Sequence, residues 1–232
     1  MSETPRIPQN KTSSDCIKPL LTPLEAAQCE TGDEFFTSFP LREWKLVKRI
    51  KQMNDQNMCG ELCSLRFTWQ RPKQDASNEQ TFLYETLVGL LDIAWILADS
   101  PLSSFFIEKV DGNNNLFGLL MFENGIAAEI EANECLPNSM QASNFIKANF
   151  KHGHLTNQPL VGHFNEEGSI LADDVSCQRL VIENSDWDDC GDEIALCRRS
   201  MLYSIKHGTY PSGPLHSVEI VNAVKAALEK IK

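Results

Sequence analysis

From position 63 to position 69 apolar and polar residues alternate without exception: Cys63, Leu65, Phe67 and Trp69 are separated by Ser64, Arg66 and Thr68. A period of two marks a strand with one buried face, so all four apolar residues are expected on that face. Residues 41–53 carry another period. Trp44, Val47, Ile50 and Met53 recur at helical spacing, with Lys45, Lys48, Arg49 and Lys51 elsewhere, which predicts an amphipathic helix with a solvated basic side. Residues 82–95, FLYETLVGLLDIAW, are apolar in nearly every direction and predict a buried helix.

Strand-like segments follow at 104–110, 116–123 and 126–133, the last two joined by Asn124-Gly125, a strong hairpin signal. In the second arm Ile126, Ala128, Ile130 and Ala132 face one way, and Ala127, Glu129, Glu131 and Asn133 the other, so the sheet keeps a polar face. Weaker strands are expected at 160–165, 169–171 and 179–183, a short helix at 24–28 and a short strand at 34–39. Two helices close the chain, at 192–207, stopped by Gly208, and at 217–231, with Val221, Val224, Leu228 and Ile231 on one face. Residues 1–15, with Pro5 and Pro8 among polar residues, read as a flexible tail. Hairpin-joined strands with helices before and after them predict an α+β domain: a predominantly antiparallel, open β-sheet with helices packed on one face.

At 232 residues and 42% hydrophobic, the chain is long enough for a sizeable core. Its 21 basic against 32 acidic residues give a formal charge of −11, which argues against nucleic acid and anionic lipid as partners. The first residues lack the apolar core of a secretory signal, and acids interrupt the 82–97 run, so a cytoplasmic protein without a membrane span is expected. Eight cysteines are scattered along the chain and form no compact disulfide pattern. Cys59 and Cys63 find no histidines at metal-site spacing, and no metal is expected. The acids at Asp186, Asp188, Asp189, Asp192 and Glu193 suit a helix N-terminus better than a metal.

The chemistry worth weighing lies in the buried helix. Glu85, Gly89 and Asp92 fall on one stripe, because residues three, four and seven apart share a helix face. Two readings are open. Either the acids cap or pair with basic residues, Arg66 and Arg71 among the choices, while Gly89 admits another helix, or the stripe lines a pocket. His152, His154 and His163, in KHGHL and VGHF, are candidate ligand-binding donors to a sugar-like molecule, against the plainer reading of loop histidines.

Several short motifs, in order, resemble the Gfo/Idh/MocA family of NAD(P)-dependent oxidoreductases over roughly residues 16–230. Ile17-Lys18-Pro19-Leu20 followed by Thr22-Pro23-Leu24-Glu25-Ala26-Ala27 is similar to the family's Glu-Lys-Pro motif and the helix after it. Cys59-Gly60-Glu61-Leu62 resembles its Gly-Glu turn, Phe122-Glu123-Asn124-Gly125 its sheet hairpin, and Asp186-Trp187 its tail. The resemblance implies that residues 16–232 form the family's C-terminal-type domain. It aligns the family's Asp-x-Gly-x-His-x-x-Asp helix so that Glu85 and Asp92 match the acids, Leu87 the glycine and Gly89 the histidine. Family enzymes use the motif lysine and that histidine beside the substrate, while the cofactor takes or gives hydride. By resemblance, then, Lys18, Glu85 and Asp92 are the candidate catalytic residues, and Gly89 offers no titratable group.

None of the 12 glycines forms GxGxxG, and about 15 residues before Lys18 are too few for a βαβ unit, so no cofactor site is expected in this chain alone. NAD(P) would come only with a partner. Three functions follow from the resemblance: a non-catalytic or accessory domain that binds a small polar ligand or oligomerises; a component of an NAD(P)-dependent oxidoreductase acting on a sugar-like or other small polar substrate; or a degenerate or truncated product. Expected partners are a second copy, meeting through the open sheet face, and a full-length relative that supplies the nucleotide.

Overall fold

In the computed structural model, which describes residues 20–21, 36–37, 39–73, 79–110, 115–158, 169–173, 179–182 and 222–226, a short parallel pair comes first. It joins β1 (Leu20–Leu21) to β2 (Phe36–Thr37). A 3-10 turn, Pro40–Glu43, then leads into helix α1, Lys45–Asp55. The expected helix over 41–53 is therefore split in two. Pro40 fixes the start of the tight turn, and Trp44 is extended (ψ 126°), which interrupts the helical path before α1 begins. Leu46, Val47, Ile50 and Met53 form the buried stripe of α1. The helix closes with Asn57 left-handed (φ 51°) and the Met58 N–H donating to the Met53 carbonyl, a glycine-type stop built on asparagine.

Strand β3, Leu62–Pro72, leads to helix α2, Glu79–Ala98. The remaining strands are β4 (Leu102–Val110), β5 (Asn115–Phe122), β6 (Ala127–Leu136), β7 (Ser143–Phe150), β8 (Gly153–Thr156), β9 (Ser169–Asp173) and β10 (Arg179–Ile182). They form one eight-stranded sheet in the order β10-β9-β8-β7-β3-β6-β5-β4. Only β3 and β6 pair in parallel; every other neighbouring pair is antiparallel. The α+β class and the predominantly antiparallel open sheet are thus as the sequence predicts.

The core lies between this sheet and the helices. Leu65, Phe67, Leu116, Leu120, Ala128, Ile130, Ile146 and Ala148 point inward from the strands. They meet Leu46, Ile50, Met53, Leu87, Leu90, Leu91, Ile93 and Leu97 from α1 and α2 in one cluster. Full burial of each large aliphatic side chain contributes roughly 1.5–3 kcal/mol, so the helices are held mainly by this layer. Helix α2 ends at left-handed Asp99 (φ 51°), followed two residues later by Pro101. Among the described residues no helix is long and apolar enough to cross a membrane.

Several expectations need correction. Cys63 is exposed, not inward, because an irregularity between Leu62 and Ser64 shifts the register with β7 and turns Leu62 inward instead. Helix α2 is not buried all round, since Glu85 is exposed. Asn133, expected on the water-facing side of β6, is buried. Strands β7 and β8 were not anticipated: their hairpin turns at Lys151-His152, without a glycine or asparagine pair to announce it. The expected helix at 24–28, strand at 160–165 and helix at 192–207 lie outside the described residues, as do residues 1–15; of the last helix, 222–226 is helical.

Two backbone hydrogen bonds fasten the tip of that hairpin to the turn before β3. Lys151 N–H donates to the Glu61 carbonyl and His152 N–H to the Cys59 carbonyl, both at 2.9 Å. Between these acceptors sits Gly60 (φ 77°), where an added Cβ would lie 2.9 Å from His152 Cδ2 and 3.0 Å from Lys151 Cβ. Both conformation and space demand glycine. Gly60→Ala is therefore expected to destabilise the protein by about 1–3 kcal/mol in urea unfolding, with Gly125→Ala, whose added Cβ meets nothing within 4 Å, costing less.

Candidate functional site

The sequence directs attention to one face of α2, and the structure answers with the 3-10 turn. Asp92 is 1% exposed in the middle of α2. Its two carboxylate oxygens accept hydrogen bonds from Arg42, Nε to Oδ2 at 2.8 Å and the second guanidinium nitrogen to Oδ1 at 2.5 Å. This is the bidentate fork that planar guanidinium and carboxylate groups favour. The guanidinium also lies over the Phe39 ring, 4.3 Å from its centroid, and Phe39 is itself buried. Arg42 is held from two sides.

Leu41, the preceding residue, covers Gly89. A Cβ added at Gly89 would meet Leu41 Cδ1 at 3.0 Å. The space beside Gly89, between Asp92 and the exposed Glu85, is therefore filled by an aliphatic side chain from the turn. Consecutive residues of one turn thus serve two positions of α2 that lie three apart and share a face. The stripe is real as a row of positions, yet its acids part company: Asp92 goes to Arg42 and Glu85 to solvent.

The arginines weighed as partners for a buried acid are engaged elsewhere. Arg66 pairs with Glu129 across β3 and β6, and Arg71 with the buried Glu134. Sequence reasoning missed Arg42. As the second residue of the expected 41–53 helix it carried no local signal that set it apart from the other basic residues. Beside the pair, an open groove of about 350 Å³ is lined by Arg42, Val47, Lys51, Gln52, Asp55 and Ile96 among others. Its ammonium groups already have acids: Lys48 holds Glu43, and Lys51 holds Asp55.

The other predicted residues are not brought to this place. Lys18 and His163 lie outside the described residues. His152 is exposed on the β7–β8 turn, and His154 sits on β8, opposite Asn149 of β7 and Ala172 of β9. His154 Nε2 is enclosed, with no hydrogen-bond partner among the described residues. Burial, and then the positive charge of Lys147, hold the His154 imidazole below its ordinary pKa. Among the described residues no three His, Cys, Asp or Glu side chains gather as a metal site would require.

No protein-family model and no curated protein matches the chain. Solved structures do. An oxidoreductase from Agrobacterium radiobacter, in complex with NAD+, L-tartaric acid and magnesium, superposes with a TM-score of 0.67 at 14% identity, covering 92% of this chain and 70% of that one. Levoglucosan dehydrogenase, in complex with NADH and L-sorbose, gives 0.63 at 12% identity over 85% of this chain and 64% of its own. UDP-N-acetylglucosamine 3-dehydrogenase from Acidithiobacillus ferrooxidans gives 0.64 at 10% identity, with 84% and 60% covered. The chain spans less than two thirds of the length of the last two. It has the fold of these oxidoreductases and dehydrogenases.

The lowered pKa of His154 has a sign that can be checked. The folded state favours the neutral ring, so its contribution to stability is present above the ordinary value near 6.5 and is lost as pH falls from there through the folded pKa. Imidazole NMR titration is expected to place the His154 midpoint below 6.5, and Lys147→Gln to raise it. A midpoint at or above 6.5 would contradict the burial of this ring.

Proposed function

We propose that this chain is a non-catalytic, accessory member of the Gfo/Idh/MocA oxidoreductases: a C-terminal-type domain that binds a small polar ligand or a partner chain in the cytoplasm. The observation that carries the reading is the occupancy of the α2 stripe. Family enzymes place an imidazole where Gly89 stands, and here Leu41 fills that space while Arg42 takes both oxygens of Asp92. With both oxygens engaged in a buried bidentate pair, the carboxylate is turned to Arg42 and not to a substrate. The exposed thiols of Cys63 and Cys135, outside any disulfide, suit a reducing compartment.

The described residues do not fit a dinucleotide. A pyrophosphate cradle needs a glycine turn from a strand into a helix N-terminus. Gly60 and Gly125, the described glycines with positive φ, stand instead before β3 and in the β5–β6 turn. A nucleotide-binding relative paired with this chain would supply that half. The open sheet face is the surface we assign to such pairing.

A second reading has its own support: two of the fold relatives are bound to NAD+ or NADH, which favours a component of an NAD(P)-dependent oxidoreductase acting on a sugar-like substrate. Lys18 and Glu85 would then carry the proton chemistry with Asp92. Calorimetry with NAD(H) and NADP(H), followed by turnover assays on sugars and polyols, separates the two. The accessory reading expects no saturable nucleotide binding by the purified chain. It also expects Gly89→His to gain no turnover and to lose about 1–3 kcal/mol of stability, because the imidazole must displace Leu41. Saturable binding with turnover by the natural sequence would overturn it.

A further inference from the structure

Four of the exposed large apolar side chains cluster on one margin of the sheet. Phe106 (62% exposed) and Val110 project from β4, and Phe117 and Leu119 from β5, on the face away from the helices. Phe106 and Leu119 are direct cross-strand neighbours. Strand β4 is also the terminal strand of the sheet among the described residues. It is nine residues long, and its one irregularity lies near its start, between Leu102 and Ser104. Terminal strands are ordinarily protected by shortness, proline, bulges or inward charges; β4 carries such guards only toward its ends, the irregularity at 102–104 and Lys109 on the inward face, and its middle, 104–107, has none.

The sequence of β4 is complementary to itself in one antiparallel register. Partners across such a pair share a face, so only registers that preserve the in–out alternation are admissible. With the two-fold axis at Phe106, Phe106 faces its own copy, Phe105 faces Ile107, and Glu108 faces Ser104. Every apolar residue from 104 to 108 then meets an apolar one, and the carboxylate meets a hydroxyl. The alternatives fail on chemistry. An axis at Ile107 sets Phe106 against Glu108 and Phe105 against Lys109; one at Glu108 opposes two carboxylates; one at Phe105 sets Phe106 against Ser104.

We infer that two copies of this chain pair edge to edge through β4, on an axis at Phe106, so that the two sheets run on as one. The row Leu119–Phe106–Phe106–Leu119 then crosses the junction as continuous apolar surface, and Phe105 and Ile107 extend the core on the other side. This inference is independent of whether the chain is catalytic. It also differs from packing through the broad sheet face, where side chains, and not the β4 backbone, would make the contact.

Sedimentation velocity of the full chain over a concentration series is expected to show a monomer–dimer equilibrium with a dimer at tens of micromolar, roughly the strength of a small interface. Phe106→Lys sets two ammonium groups on the axis and is expected to weaken the dimer by roughly a hundredfold. Circular dichroism should be unchanged, because Phe106 is exposed in the monomer. Arg66→Glu, in the middle of the sheet face, and Met140→Lys, exposed elsewhere, should leave the dimer intact. Hydrogen exchange at β4 amides should slow as the dimer forms. A chain that stays monomeric, a dimer that tolerates Phe106→Lys or is lost with Arg66→Glu, or β4 amides indifferent to concentration would each overturn the proposal.

Discussion

A carboxylate removed from water must find a cation, and Asp92 finds Arg42. Helix α2 is otherwise apolar where it faces the core, and an unpaired charge within it would cost several kcal/mol. The fork to Arg42 removes that cost only in one geometry, with the Pro40–Glu43 turn lying across the middle of the helix. Phe39 beneath the guanidinium narrows the geometry further. Once Arg42 is placed, its neighbour Leu41 lies against Gly89, and a residue with a larger side chain at 89 would push the turn away. The glycine, the aspartate and the turn are thus one packing unit. Because α1 starts directly after the turn, the same unit sets where its buried stripe meets the sheet.

In the fold shared with the NAD-bound oxidoreductases, what a protein does depends on the groups at the site, and fold alone does not carry activity. Here an aliphatic side chain and an ion pair occupy the α2 stripe. The sheet beyond it differs between its centre and its margin. Its centre carries the Arg66–Glu129 pair, and its β4–β5 margin carries exposed aromatic and aliphatic side chains.

How far this was readable from the sequence depends on the range of each interaction. The period of two in β3 and β6, the Asn124-Gly125 hairpin and the apolar run of α2 are local signals, and the fold class followed from them. Cys63 failed because one irregular residue reverses the parity of a strand, which periodicity cannot detect. The β7–β8 hairpin was missed because its anchor is a pair of backbone hydrogen bonds to 59 and 61, which leave no pattern in β7 itself. The partner of Asp92 was missed for a related reason. Arg42 is 50 residues away, and Arg66 and Arg71 were equally plausible by charge. Gly89 advertised a close approach in the sequence; only the structure names Leu41 as what approaches.

The central claim is that Asp92 is spent on Arg42, and a double-mutant cycle tests it most directly. Urea unfolding of Arg42→Ala, Asp92→Ala and the double variant gives the coupling energy of the pair. The account predicts about 2–3 kcal/mol, with each single variant losing roughly 3–5 kcal/mol and the double losing less than their sum. A coupling below about 0.5 kcal/mol would mean that the two residues act independently, and Asp92 would again be available for chemistry.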